Sequence, residues 1–277
     1  MVISNSPVST TQLSPKGALQ QTQSDEANVI LREAMFSLEW KNFSRGKSDN
    51  VLVKLSYRGG DVRKNEMGIV LADYTKRTGV VHKAIILPEK HPTWATDAHK
   101  LWNEAIKCET RVNSVEAREI RVTVPKGLLL SAVEVLGNRF GNRMVQEHGC
   151  AIEMFIHKDK DLDYNGQIKN EGGYHIHFVL TTRRLTEAGF TEKIREMSVQ
   201  KAGYLPFWRQ QWQDFANQAL AENGRTERID CRSYRARGLA KEPTKPMLPS
   251  EVRRNRHAAE ALRRESAAAA KPIVATA

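Results

Sequence analysis

A His-X-His pair in a largely apolar segment is the part of this chain whose residue types could do chemistry. His175 and His177 lie in the run from Gly173 to Leu180. Because side chains alternate along a β-strand, a strand here places both imidazoles on one face, about 7 Å apart along the chain. One divalent metal ion could bind both rings at that spacing. The alternative is a strand that carries two surface histidines without a ligand.

A third histidine ends a second alternating segment. His157 follows Ile152-Glu153-Met154-Phe155-Ile156, a pattern that also predicts a strand. If the two strands pair, the three imidazoles converge and form the outline of a metal site. The other histidines show no such pattern and are interpreted as ordinary polar side chains: His82, His91, His99, His148 and His257.

Glu119 is a candidate catalytic residue near this site. It lies in residues 118–125, which alternate like a strand, with Ile120 and Val122 on one face and Glu119 and Arg121 on the other. From the polar face, its carboxylate could orient a metal-bound histidine. The alternative is an ordinary solvated carboxylate.

The charge of the chain points to a polyanionic partner. Its 277 residues carry a formal net charge of +11. Such an excess is typical of nucleic-acid-binding proteins, less often of proteins on anionic membranes, and otherwise of a merely well-solvated surface. No apolar run approaches the roughly 18 residues of a membrane span, and no secretion signal is visible. The three isolated cysteines form no disulfide or CxxC pattern. We therefore expect a cytoplasmic protein without membrane insertion.

The elements that must position these residues predict an α+β fold, a central, mostly antiparallel sheet flanked by helices. Strands are predicted at 35–40, 80–87, 118–125, 152–157 and 173–180, and helices at 93–109, 128–148 and 205–223. Residues 51–57 are ambiguous, since they are β-branched yet follow the capping residues Ser48 and Asp49; helix is favoured. The Gly- and Asn-containing segment 158–173 is expected to be an irregular loop.

Three regions are expected along the chain. Residues 1–34 are polar and are predicted to be a disordered leader, with Met35 as an alternative start. Residues 35–245 contain all the predicted strands and helices. Residues 246–277 form a basic tail rich in alanine and arginine.

Several ordered segments between Met35 and about Thr244 resemble the MobA/MobL family of plasmid mobilisation proteins. They include residues 36–46, the run Ser56-Tyr57-Arg58-Gly59-Gly60, the three histidines, and residues 180–183. Shorter matches follow at 208–209, 228–230, 232–234 and 242–244. The family usually has Asn-Pro before its His-X-His, where this chain has Gly173-Tyr174.

The resemblance implies an HUH-type relaxase, with residues 35–245 as the DNA-nicking domain. Such an enzyme nicks one strand of plasmid DNA at a transfer origin, which initiates conjugative mobilisation. Tyr57 matches the family's nucleophile and would form a covalent 5′-phosphotyrosyl link; Tyr74 is the second candidate. His157, His175 and His177 would hold a divalent metal ion. Mg²⁺ or Mn²⁺ is expected from the family, although imidazole ligands by themselves suit Mn, Zn, Ni or Co better than Mg.

The expected partner is single-stranded or supercoiled plasmid DNA at a transfer origin, with accessory mobilisation proteins and a type IV secretion coupling protein. Cationic residues near Tyr57 in sequence are expected to neutralise the DNA backbone: Arg45, Lys47, Arg58, Arg63 and Lys64. Two nearby alternatives are a non-catalytic, basic, single-strand DNA-binding protein of a plasmid and a rolling-circle replication initiator. A small-molecule metalloenzyme is a third, and the positive charge argues against it.

Overall fold

The structure, a computed structural model, describes residues 34–47, 50–162, 168–198 and 200–242, together with residues 254, 257, 258 and 260–262. The described residues all belong to one unit, Glu33–Ala277. The expected leader, residues 1–34, lies outside the described residues except for Ala34. Most of the expected tail, residues 246–277, also lies outside them.

A five-stranded sheet is the centre of the fold. Its strands are β1 (Leu38–Ser44), β4 (Val80–Ile86), β5 (Val115–Thr123), β6 (Ile152–Leu162) and β7 (Ile168–Thr181). They are arranged in the order β1-β5-β7-β6-β4, and every neighbouring pair is antiparallel. The predicted α+β class with an antiparallel central sheet is therefore confirmed.

Among the described residues, two small hairpins stand apart from the central sheet. One pairs β2 (Val62–Lys64) with β3 (Val70–Asp73), and the other pairs β8 (Arg183–Thr186) with β9 (Gly189–Lys193). The sequence patterns predicted neither hairpin. Strands of three to five residues are too short for a clear alternation of apolar and polar side chains.

Within residues 34–242, as far as they are described, four α-helices accompany the sheet: α1 (Val51–Gly59), α2 (Ala98–Lys107), α3 (Leu130–His148) and α4 (Tyr204–Glu222). The helix favoured at 51–57 is confirmed as α1, although its cap is Asn50, whose side chain accepts from the backbone N–H of Val53. The helix predicted at 93–109 is divided. Asp97 caps α2 by accepting from two backbone N–H groups, and residues 93–96 form a separate 3₁₀ turn before it.

The prediction of an irregular loop at 158–173 is wrong, because β6 and β7 continue as a long hairpin. Backbone pairing extends through Lys160↔Glu171 and Asp161↔Asn170 to Leu162↔Ile168, with two register shifts. A ribbon that projects from the sheet is stabilised by its ladder of backbone hydrogen bonds, so it does not need the apolar face that marks a strand in sequence.

The central sheet is covered on both faces, which decides the surroundings of the histidines. Helix α3 packs on one face and contacts β4, β6 and β7, while α4 packs on α3. That face buries Ile120, Val122, Met154, Ile176 and Phe178, together with Trp208 and Trp212. The opposite face is covered by α1 and α2 and buries Leu55, Trp102, Ala117, Phe155 and Val179. By strand alternation, the three histidines lie on the α1 side.

Among the described residues, no helix combines the length and the apolarity that a membrane span requires.

Candidate metal centre and its neighbouring tyrosine

The three predicted histidines meet on one face of the sheet. His157 in β6 is directly opposite His175 in β7, and His177 lies two residues further along the same face. The ring centroids are 4.8–5.0 Å apart. This is less than the roughly 7 Å between alternate residues of a strand, because the side chains bend toward a common point. One nitrogen from each ring lies within 4.8 Å of the others. The expected convergence is confirmed.

Each imidazole has one nitrogen committed to the protein. The Nδ1 of His177 donates to Glu119 Oε1 at 2.7 Å, and the Nδ1 of His175 donates to Asp159 Oδ1 at 3.0 Å. These two rings therefore keep the lone pair of Nε2 free. The Nε2 of His157 lies 2.7 Å from the carbonyl oxygen of Arg58, which leaves Nδ1 as its free nitrogen. The carboxylates thus behave as outer partners that orient the rings.

Asp159 is a functional candidate that sequence reasoning missed. It lies two residues after His157, so it shares the face of that histidine, and it contacts His175 across the hairpin. The signal was the spacing His157-X-Asp159. It was overlooked because residues 158–173 were interpreted as an irregular loop, in which a spacing of two has no meaning.

The electrostatics keep His157 and His177 neutral and Glu119 charged. Burial lowers the pKa of His157 to about 4, against the opposing effect of its hydrogen bond with the Arg58 backbone, and the positive charge of Arg77 acts in the same direction as burial. Burial also lowers the pKa of His177, against the opposing effect of Glu119. For Glu119, burial raises the pKa, but hydrogen bonds from His177 and Arg58 outweigh it and hold the pKa at about 2. Neutral imidazoles are the form that binds a metal ion.

The donor set fits a divalent ion. Three neutral imidazole nitrogens leave the full charge on the ion and occupy only three of its coordination positions. His157 and His177 are buried, and His175 is partly exposed, so the cluster opens to solvent on one side. Among the described residues, this is the one group of three or more candidate ligands that lie close enough to hold a metal ion.

Tyr57 lies beside this cluster at the end of α1. Its side chain is 47% exposed, and its ring makes an edge-on contact with Tyr74, with centroids 5.3 Å apart. The next residue, Arg58, connects the helix to the site. Its Nη2 donates to Glu119 Oε2 at 2.7 Å, its Nε also bonds Glu119, and its carbonyl oxygen contacts His157. The exposed phenol of Tyr57 is therefore next in sequence to Arg58, which contacts His157 directly and His177 through Glu119.

The expectation that Arg45, Arg58 and Arg63 neutralise DNA phosphates is not supported by their contacts. Arg58 pairs with Glu119, and Arg45 pairs with Glu116 at 2.6 Å. Arg63 is only 2% exposed and lies between Asp61 and Glu153. Proximity in sequence did not reveal these carboxylates, because they come from β5, β6 and the loop after α1.

The comparisons with known proteins agree with this architecture. The sequence model of the MobA/MobL family matches residues 50–256. The mobilization protein MobL of Acidithiobacillus ferridurans is 26% identical over 253 residues, which are 83% of this chain and 66% of that protein. The conjugal transfer protein TraA of Agrobacterium fabrum is 26% identical over 230 residues, which are 73% of this chain but 20% of that protein. The chain thus spans less than two thirds of either relative.

A solved structure gives a similar result in three dimensions. It comes from work on the molecular basis of vancomycin resistance transfer in Staphylococcus aureus. It aligns with a TM-score of 0.62 and 24% identity over 73% of this chain and 100% of that one, and this likeness shows a shared fold. The family match covers most of the chain and confirms the resemblance drawn from the sequence: this chain belongs to the MobA/MobL family.

Proposed function

We propose that this protein is a DNA relaxase that nicks one strand of plasmid DNA at a transfer origin and so initiates conjugative mobilisation. The observation that carries the proposal is the attachment of the Tyr57-bearing end of α1 to the three-histidine cluster through Arg58. Membership of the MobA/MobL family supports it. The relatives' names, a mobilization protein and a conjugal transfer protein, support the same role.

Tyr57 is the proposed nucleophile. Its phenol oxygen forms a bond to the phosphorus of the scissile phosphodiester, and the bond from phosphorus to the 3′ oxygen breaks. The phenol proton is lost to solvent, and the departing 3′ oxygen takes up a proton and becomes a free hydroxyl. The product carries a 5′-phosphotyrosyl link, which conserves the energy of the phosphoester so that the strand can be rejoined.

The histidines are proposed to hold a divalent ion, with Mg²⁺ or Mn²⁺ expected. Such an ion, when bound, supplies positive charge that offsets the charge developing on the phosphate oxygens. His177 is kept in one tautomer by Glu119, and His175 by Asp159. Glu119 is 1% exposed and contacts His177 and Arg58, which supports a positioning role instead of contact with DNA.

The proposed partner is plasmid DNA, presented as a single strand or as a supercoiled duplex at its origin. The net charge of +11 supports a polyanionic partner. Accessory mobilisation proteins and a type IV secretion coupling protein complete the proposed assembly.

The test is a nicking assay on supercoiled plasmid that carries the DNA flanking the gene, with and without Mn²⁺ or Mg²⁺, followed by denaturant and protease. We expect metal-dependent open circles with a blocked 5′ end. This product should fall to background in Tyr57→Phe and in His175→Ala. Tyr74→Phe is the matched control, since it removes the neighbouring hydroxyl and keeps the ring that touches Tyr57.

Two outcomes would contradict the proposal. Cleavage that survives Tyr57→Phe and is lost in Tyr74→Phe would transfer the nucleophile to Tyr74. Salt-sensitive DNA binding without any cleavage would instead favour a non-catalytic plasmid DNA-binding protein.

A further inference from the structure

Arg77 is a guanidinium that the fold places on the candidate nucleophile and that has no acidic partner among the described residues. It lies in the turn between β3 and β4, with its Cζ 3.7 Å from the centroid of the Tyr57 ring. Its Nε is shielded from solvent and has no hydrogen-bond partner. Within the described part of the chain, this guanidinium forms no ion pair and no side-chain hydrogen bond, and its contact is the stacking on Tyr57.

The turn that carries Arg77 is attached to both halves of the site. The backbone N–H of Arg77 donates to Tyr74 at 2.8 Å, and Tyr74 in turn donates to Asp61, just after α1, at 3.1 Å. At the other end, Gly79 has a φ of +96° and accepts from the N–H of Lys158, next to His157, at 2.8 Å. The backbone therefore fixes Arg77 between the end of α1 and the histidine-bearing end of β6.

Three other cations around this site have carboxylate partners. Arg58 bonds Glu119. Arg63 bonds Asp61 and Glu153, and Lys83 also bonds Asp61. Arg77 instead stacks on the Tyr57 ring, and this arrangement affects which of its N–H groups can bind a ligand. A guanidinium stacked on a ring keeps its in-plane N–H donors free, and these donors match the geometry of phosphate oxygens.

We propose that Arg77 has two tasks in the reaction of Tyr57. Its stacking orients the phenol ring, and its free N–H donors bind a non-bridging oxygen of the scissile phosphate. This inference rests on the proposed relaxase function and deepens it, since it assigns the phosphate-binding cation of the same site. The proposed contact adds no covalent step, and Arg77 keeps its protons throughout.

The test compares Arg77→Met with Lys76→Met. Both variants lose one positive charge from the same turn, but Lys76 is exposed, and it is Arg77 that stacks on the Tyr57 ring. Single-turnover cleavage of an origin oligonucleotide should slow by about 10²–10³-fold in Arg77→Met, the usual effect of removing one preorganised donor. Lys76→Met should cleave within a few-fold of the wild-type rate. Arg77→Lys, which keeps the charge without the planar fork, should lie between them.

Three further measurements separate this role from a structural one. The thermal midpoint of Arg77→Met should equal that of the wild type, its Mn²⁺ dissociation constant should not rise, and its affinity for the oligonucleotide should change only a few-fold. Added methylguanidinium should partly restore cleavage in Arg77→Ala and not in Tyr57→Phe.

The contrary outcomes distinguish a failure of the role assigned to Arg77 from a failure of the relaxase proposal. Equal cleavage rates for Arg77→Met and Lys76→Met would overturn the assignment of Arg77 and leave the relaxase proposal intact. A loss of metal binding or of folding in Arg77→Met, without rescue in Arg77→Ala, would reduce Arg77 to a structural residue. Absence of cleavage by the wild-type protein would overturn the relaxase proposal and the role of Arg77 with it.

Discussion

At the scale of single residues, Glu119 joins the two parts of the candidate site. Its Oε1 accepts from His177 and from Arg58, and its Oε2 accepts from Arg58 as well; Arg58 is the residue next to Tyr57. The group is almost completely buried, and its negative charge is maintained because Arg58 and His177 hold its pKa at about 2. The same charge favours the tautomer of His177 that leaves Nε2 free for a ligand.

Replacing Glu119 with glutamine should weaken metal binding. The amide retains the size of the side chain but removes the charge that orients His177 and pairs with Arg58. We expect the Mn²⁺ dissociation constant to rise by about 10- to 100-fold, as for other outer partners of metal-bound histidines. Calorimetric titration of the folded, metal-free protein measures it.

Glu39→Gln is the matched control for that experiment. Glu39 lies on the adjacent strand β1 and pairs with Arg121 at 2.7 Å, but its side chain is 39% exposed and it touches none of the histidines. Its replacement should leave the Mn²⁺ dissociation constant unchanged. Equal affinities for the two variants would show that Glu119 does not position a metal ligand.

At the scale of elements, a buried ion pair fastens the small hairpin β2–β3 to the central sheet. Arg63 in β2 donates to Glu153 in β6 at 2.5 Å and 3.2 Å, and the indole of Trp102 in α2 donates to the same carboxylate at 2.7 Å. Arg63 and Glu153 are 2% and 3% exposed. The elements β2, α2 and β6 are thus joined at the Glu153 carboxylate, and β6 is also the strand that carries His157.

Arg63→Met should destabilise the protein substantially, because it leaves Glu153 buried without its cation. Breaking one side of a buried pair costs about 3–5 kcal/mol, and we expect a loss of that size in the free energy of unfolding measured with urea. Lys107→Met removes a cation from exposed pairs with Glu66 and Glu104 and should cost about 0–1 kcal/mol. A loss for Arg63→Met as small as that for Lys107→Met would contradict the structural role of the pair.

At the scale of the whole molecule, buried neutral histidines make the free energy of unfolding depend on pH. His148, at the end of α3, is 2% exposed and contacts the hydroxyl of Tyr204 at 3.0 Å. Burial lowers its pKa from 6.5 to about 4, with smaller effects from Glu196 and Arg184. Between these two values the unfolded chain binds more protons than the folded one, so folding is favoured less as the pH falls.

We expect the stability of the metal-free protein to decrease as the pH is lowered from about 6.5 to about 4. The contribution of His148 is fully present above pH 6.5 and is lost through that window. Thermal unfolding at a series of pH values measures it. His148→Gln should make the decrease shallower, whereas His257→Gln, at a side chain that is 79% exposed, should not change its slope. Parallel curves for wild type and His148→Gln would contradict this origin of the pH dependence.

The sequence by itself predicted much of this protein. Apolar alternation placed His157, His175 and His177 on strands and assigned the sheet and helices to an α+β fold. Ordered motifs indicated the family, which the family match confirmed. These features are local, since the alternation of a strand or a short motif can be recognised within about ten residues of sequence. Tyr57 had no such local signal, and its proposed role came from the resemblance alone.

Only the tertiary structure decided which cationic side chains are paired with carboxylates and which are available to bind a phosphate. It paired Arg58 and Arg63 with buried carboxylates, connected Asp159 to His175, and placed Arg77 on Tyr57. These contacts depend on the register between strands and on turns such as the one at Gly79, which bring together residues far apart in the chain. The partner of a charged side chain is set by that three-dimensional neighbourhood, and the linear pattern of residues does not contain it.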